Sequence, residues 1–149
     1  MTIIVSHLGL DDKAQWEKLY RGYATFYKVP MSTQILETVW GWIFSDQPRI
    51  FSLIAKDAQG NATGLMHYRA MPSPLRGTCI GFLDDLFVEP KSRGTGSVDA
   101  LFARLEKEAA AHGWSAVRWI TAENNYRARA VYDRLAAKTQ WTTYQLDIL

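Results

Sequence analysis

Cysteine is almost missing from this sequence. Cys79 is the only one among 149 residues, so an intrachain disulfide is excluded and no thiolate cluster is left for a metal. An excess of charge of one sign is missing too. Lys and Arg number 17 against 15 Asp and Glu, a formal net charge of +2, and with no basic run there is no electrostatic footprint for nucleic acid. No apolar run approaches the ~18 residues a membrane span requires. Residues 1–10 lack a basic start followed by a long apolar stretch, so the expectation is no signal peptide and a cytoplasmic location. What remains is an ordinary globular composition, 48% hydrophobic. At this length it buries a core without staples, and 1–149 is expected to form a single domain.

Periodicity supplies the elements. Thr2 to Leu8 reads as a first strand. Asp11 and Asp12 offer an N-cap, and Trp16, Leu19, Tyr20, Tyr23 and Tyr27 follow at helical spacing. Pro30 pushes Val29 out of the α region and ends that helix near Lys28. Ser32 or Thr33 caps a second helix with Leu36, Val39, Trp40 and Ile43 on one face. Strands are expected at Ile50–Lys56, Thr63–Ala70 and Cys79–Val88, with Pro72, Pro74 and Gly77 in a loop. A third helix carries Val98, Leu101, Phe102, Leu105 and Ala109 and stops at Gly113. Ser115–Thr121 is a strand, Asn125–Ala137 a fourth helix and Trp141–Ile148 a last strand. The order is β-α-α-β-β-β-α-β-α-β. Three strands without intervening helices are expected to be antiparallel, and the later β-α-β to add a parallel pair, which makes a mixed α/β (α+β) domain.

Between strand and third helix lies Val88-Glu89-Pro90-Lys91-Ser92-Arg93-Gly94-Thr95-Gly96-Ser97-Val98. Glycines allow a tight turn and close approach by a ligand. The first amides of a helix lack internal partners and carry partial positive charge, which suits a pyrophosphate. There is no Gly-Lys-Ser/Thr ending for a P-loop, and the preceding meander does not fit a dinucleotide-binding unit. The pattern Arg93-x-x-Gly96-x-Val98, after a strand and a Val-x-Pro, resembles the coenzyme A pyrophosphate loop of the GNAT superfamily of N-acetyltransferases. Val98 stands where that loop usually has Gly or Ala. The resemblance extends over nearly the whole chain. It implies the GNAT acyltransferase fold, a mixed central sheet of about six or seven strands flanked by four helices, with acetyl-CoA as co-substrate and no metal. It also implies that the amides of Gly94, Thr95, Gly96, Ser97 and Val98, with Arg93, hold the pyrophosphate, and that Leu86, Phe87 and Val88 pair through their backbone with the pantetheine arm.

A second motif, Asn125-x-x-Ala128-x-x-Val131-Tyr132, resembles the family segment that frames the thiol end of the cofactor. By that resemblance Asn125 and Ala128 contact the cofactor and Tyr132 lies near the sulfur. The chemistry explains such residue types. A lysine-like amine has a pKa near ~10.4, so about 1 in 2,500 is neutral at pH 7, and a carboxylate that removes the proton prepares the attack on the thioester. The oxyanion needs a fixed donor, such as a strand amide near Leu86. The departing thiolate needs a proton, which a phenol supplies. On spacing alone Ala128, Val131 and Leu135, on the face of Tyr132, favour a core tyrosine, and it is the resemblance that makes Tyr132 the candidate acid.

Asp84 and Asp85 interrupt an apolar strand. Adjacent strand residues face opposite sides, so only one enters a given cleft unless a bulge intervenes. Phe82-Leu83-Asp84-Asp85-Leu86-Phe87-Val88 looks like the strand of diamine- and thialysine-type members, where a Glu-Asp pair holds these positions. Asp84 is the candidate base, with Asp85 beside it for an ammonium group. Glu123 and Tyr27 are further acceptor-side candidates. His67 reads as an ordinary strand residue. The expected activity is acetyl transfer to a small, cationic amine. The alternatives are a protein or antibiotic amine acetyltransferase and a non-catalytic acyl-CoA-binding module. A homodimer through the C-terminal strand is implied by the resemblance and by the need to protect an edge.

Overall fold

The elements of this computed structural model, which describes residues 2–149, are β1 (Ile4–His7), α1 (Lys13–Phe26), α2 (Thr33–Ile43), β2 (Phe51–Lys56), β3 (Ala62–Ser73), β4 (Thr78–Val88), α3 (Ser97–His112), β5 (Val117–Arg118) and α4 (Tyr126–Leu135). Residue 1, and with it the start of the N-terminal stretch, lies outside them. The contacts divide the chain into two units, 1–119 and 120–149.

The first unit holds a five-stranded sheet in the order β1-β2-β3-β4-β5. Strands β1 to β4 are antiparallel neighbours, and β5 runs parallel to β4. Helix α2 begins where Ser32 Oγ accepts the Ile35 amide at 3.1 Å, satisfying a donor that the helix leaves unpaired. Trp16 and Leu19 from α1 and Leu36, Val39 and Ile43 from α2 close over Leu8, Ile54, Leu65 and Phe87. The other face of the sheet takes α3. Leu65 belongs to the α1/α2 cluster, whereas a Cβ on its neighbour Gly64 would lie 3.3 Å from Leu101 of α3 and 2.9 Å from the Phe87 carbonyl. Adjacent residues face opposite sides, and only glycine fits that approach.

Four sequence expectations need correction. The strand expected to stop before Pro72 continues to Ser73, pairing Pro72 with Cys79. Pairing with β2 ends at Tyr68, so the β2 side of β3 is open beyond that point and a residue without an N–H is tolerated. The sheet has five strands, not six or seven. Ser115–Thr121 shrinks to Val117–Arg118, and 141–149 forms no strand. Trp141, Tyr144, Leu146 and Ile148 are exposed. Alternation expresses a preference for pleated backbone, but a strand exists only where another edge pairs with it.

The second unit contains α4, capped by Asn125, whose Oδ1 accepts the Ala128 amide at 3.3 Å.

Candidate active site

The site is organised by an irregularity in β4. Along the β3–β4 ladder His67 pairs with Asp85, but Tyr68 pairs with Leu83. Asp84 is left without a partner, the signature of a β-bulge. Its consequence is visible in the side chains. Asp84 accepts hydrogen bonds from Arg69 Nε at 3.0 and 3.3 Å, and Asp85 Oδ2 lies 2.9 Å from His67 Nδ1. His67 and Arg69 are two apart on β3 and therefore share a face. The two carboxylates, which strict alternation sends to opposite sides, are brought to the same one.

Their surroundings differ. Asp85 receives the Tyr20 hydroxyl at 3.0 Å on the same Oδ2, and the Tyr23 hydroxyl is near enough to help lower its pKa. Burial alone would raise its pKa, but the bonds from His67 and Tyr20, with nearby Tyr23, offset that and hold it below the ordinary carboxylate value. Asp84 goes the other way. Burial raises it, the Arg69 bond and charge pull it down, the negative Asp85 pushes it up, and the balance lies above the ordinary value. Tyr20 and Tyr23 are both raised, by burial first and then by the Asp85 charge, so they remain protonated donors.

Behind Asp85, Trp16 Nε1 donates to His67 Nε2 at 2.9 Å, and both rings are fully buried. In front, aromatic rings continue along α1. Tyr20 stacks on Tyr23 with centroids 5.9 Å apart, and Tyr23 meets the edge-on ring of Tyr27 at 4.8 Å. Tyr27, an acceptor-side candidate from the sequence, thus stands at the exposed end of an aromatic row that starts at Asp85. Arg69 lies over the Phe82 ring at 4.7 Å. Sequence reasoning missed Trp16, Tyr20, His67 and Arg69. The signal was the face Leu65-His67-Arg69, where two polar residues follow an apolar one at strand period.

At the other end of β4 the chain makes a short 3-10 turn, Pro90–Ser92, and then the glycine turn. Gly94 has φ +77° and Gly96 φ +92°, the left-handed region that glycine enters without strain. Nothing lies within 4 Å of where a Cβ would project from either. The first helical bond of α3 is Ala100 N–H to Gly96 C=O at 3.0 Å, so the Ser97 and Val98 amides that precede it belong to the helix start, where backbone donors face outward. The hydroxyls of Thr95 and Ser97 turn inward. Thr95 Oγ1 donates to the Ser92 carbonyl, and Ser97 Oγ lies 2.9 Å from Thr63 Oγ1. Only their backbone is left for a ligand. Val98 is half-buried. The Arg93 guanidinium lies 5.9 Å from the Phe26 ring centroid. The β5 register covers only Gly81 and Phe82 of β4, so no β5 residue pairs with the edge at Leu86, Phe87 and Val88. An anionic head and an extended amide-bearing arm fit this donor set.

In the second unit, Asn125 is committed to capping α4, Ala128 and Tyr132 are half-buried, and Glu123 is exposed, its carbonyl accepting Arg129 at 2.6 Å.

The profile of the family described as Acetyltransferase (GNAT) family matches residues 16–137. The chain belongs to that family. It is an acetyl-CoA-dependent N-acetyltransferase. Among similar proteins, this acetyltransferase is 26% identical over 144 residues to the D-amino-acid N-acetyltransferase HPA3 of Saccharomyces cerevisiae, across 96% of this chain and 89% of that one. Its fold matches the ribosomal-protein-alanine N-acetyltransferase of Brucella melitensis biovar Abortus 2308 with TM-score 0.79 at 22% identity, covering 99% of this chain and 100% of the other. It also matches AAC(6')-Iy in complex with a bisubstrate analog, CoA-S-monomethyl-acetylneamine, with TM-score 0.83 at 16% identity and full coverage of both chains. Among the described residues of this acetyltransferase, no group of three or more His, Cys, Asp or Glu is placed to hold a metal ion, and no helix is long and apolar enough to cross a membrane.

Proposed function

We propose that this acetyltransferase moves the acetyl group of acetyl-CoA to the primary amine of a small, cationic acceptor by direct attack in a ternary complex. The observation that carries the reading is the β4 bulge, which brings two carboxylates with opposite surroundings to one face. Asp84 has the raised pKa and one partner, so it is the base for the acceptor ammonium. Asp85, held ionised by its bonds from His67 and Tyr20 and by nearby Tyr23, is the fixed charge that anchors it. The neutral amine attacks the thioester carbonyl, and the oxyanion is met by a β4 amide near Leu86. The carbon–sulfur bond breaks, and Tyr132 gives the thiolate its proton. Backbone of Leu86, Phe87 and Val88, the turn from Arg93 to Val98, and Asn125 and Ala128 hold the cofactor, with Glu123 and Tyr27 on the acceptor side. The family match runs without a break through residues of both units, which supports reading 1–149 as one catalytic domain. The strand Phe82–Val88 keeps the diamine or thialysine type as the finer assignment within the family.

A second reading is favoured by Arg69. Its guanidinium, about a third exposed beside Asp84, offers a carboxylate a partner within reach of an ammonium site. An α-amino acid carries both charges, and the yeast relative is named for D-amino acids.

The test measures acetyl-CoA binding and thiol release together over diamines, lysine-like amino acids, D- and L-amino acids and peptide N-termini. Thiol release with diamines and lysine-like amines supports the first reading. Release confined to α-amino acids replaces it with the second. Saturable binding without release under every amine overturns both. The proposal includes a cytoplasmic location and a homodimer, the dimer supported by the exposed, alternating Tyr144, Leu146 and Ile148. A monomeric mass in solution overturns the dimer.

A further inference from the structure

We propose that Trp16 and His67 are positioning residues for the acceptor site, a two-ring clamp that keeps the imidazole proton on the nitrogen facing Asp85 and thereby aims its carboxylate. The inference rests on the reading of Asp85 as the ammonium anchor.

The geometry allows one assignment of protons. An indole nitrogen only donates. Trp16 Nε1 lies 2.9 Å from His67 Nε2, so Nε2 accepts. The ring's proton is then on Nδ1 and is donated to Asp85 Oδ2 at 2.9 Å. A proton on Nε2 would confront the indole N–H with a second donor. The tautomer of His67 is therefore set from the core side, by a residue that never reaches the acceptor. The bonds from His67 and Tyr20 both end on Oδ2, so they orient the carboxylate about its own axis.

The clamp is stiff for a reason legible in the packing. Trp16 has no exposed surface and touches Tyr20, Trp40 and His67, with centroids 5.2–6.0 Å apart. Tyr20 meets the His67 ring edge-on at 4.8 Å. The other polar groups facing this end of the site are Tyr23 from α1, Arg69 from β3 and Asp84 from β4. Among the described residues, Nε2 takes its hydrogen bond from the indole of Trp16.

Four variants test the clamp: Trp16→Phe, which keeps most of the ring volume and removes the N–H; His67→Leu, which removes the donor to Asp85; His67→Asn, whose amide nitrogen reproduces a donor near Nδ1; and Asp85→Asn. Steady-state constants for the best acceptor are measured with acetyl-CoA affinity and melting temperature, and ¹⁵N shifts report the His67 tautomer. The expected result is an acceptor KM raised about tenfold by Trp16→Phe and His67→Leu, kcat changed much less, acetyl-CoA affinity unchanged, and recovery of most of the loss by His67→Asn. The ¹⁵N spectrum is expected to show the Nδ1–H form in the native protein and a mixture in Trp16→Phe. If Asp85→Asn raises the acceptor KM while Trp16→Phe and His67→Leu in folded protein do not, the clamp is overturned and the anchor stands. If Asp85→Asn leaves that KM unchanged, the anchor itself is overturned. A native Nε2–H tautomer overturns the clamp whatever the kinetics.

Discussion

The two ends of β4 are built by different means. At the Val88 end, the groups proposed to bind are backbone: two glycines in the left-handed region and the Ser97 and Val98 amides at a helix start, with the Thr95 and Ser97 hydroxyls turned away. At the Asp85 end, they are side chains drawn from α1, β3 and β4, separated by as many as 65 positions between Tyr20 and Asp85. Backbone recognition suits a ligand part that never changes, such as a diphosphate. Side-chain recognition leaves the acceptor open to variation on the same fold.

The comparison breaks most sharply at the base. Asp84→Asn is expected to lower kcat by about 100-fold or more, the usual worth of a positioned general base, with acetyl-CoA affinity preserved. A loss confined to acetyl-CoA affinity would move Asp84 to the cofactor side. Arg69→Leu sharpens the same point through pH. Arg69 pulls the Asp84 pKa down against burial, so its removal raises that pKa further. The base works only when deprotonated. The acid limb of kcat/KM is therefore expected to move to higher pH, and a limb that stays in place or moves down would show that another group titrates there.

The cofactor end is tested by Gly96→Val. A Cβ there meets no atom within 4 Å, but φ is +92°. Holding an L-residue in that region costs about 1–2 kcal/mol, so relaxation of the turn is expected to weaken acetyl-CoA binding about tenfold while the acceptor KM stays put. Unchanged acetyl-CoA affinity would mean that the amides of this turn do not hold the cofactor.

The same contrast decides what was legible in the sequence. The glycine turn is contiguous, so Arg93, Gly94 and Gly96 announced it, and the order of helices and strands up to β4 followed from periodicity. The acceptor end was less legible because contacts across the sheet leave no local mark. Period-two alternation puts Asp84 and Asp85 on opposite faces unless a bulge intervenes, and whether one does depends on how β3 pairs. His67 passed for an ordinary strand residue because its partners, Trp16 and Asp85, are 51 and 18 positions away. Tyr144, Leu146 and Ile148 misled in the opposite sense. Their alternation is a real β signal, yet no pairing follows from it alone.

The contact between Arg93 and Phe26 links the two ends, and it carries the smallest expected effect. Arg93 belongs to the glycine turn, whereas Phe26 closes α1, the helix that brings Tyr20 and Tyr23 to Asp85. The Phe26 ring is half exposed, and a cation over such a ring gains about 0.5–1 kcal/mol, a factor of roughly two to five in an equilibrium constant. If the ring holds the guanidinium ready for a phosphate, Phe26→Ala weakens acetyl-CoA binding by that factor and leaves the acceptor KM alone. The loss should vanish in an Arg93→Leu background, because the ring then has no cation to hold. A Phe26→Ala variant that instead raises the acceptor KM, with acetyl-CoA affinity intact, would assign the end of α1 wholly to the acceptor and leave Arg93 independent of it.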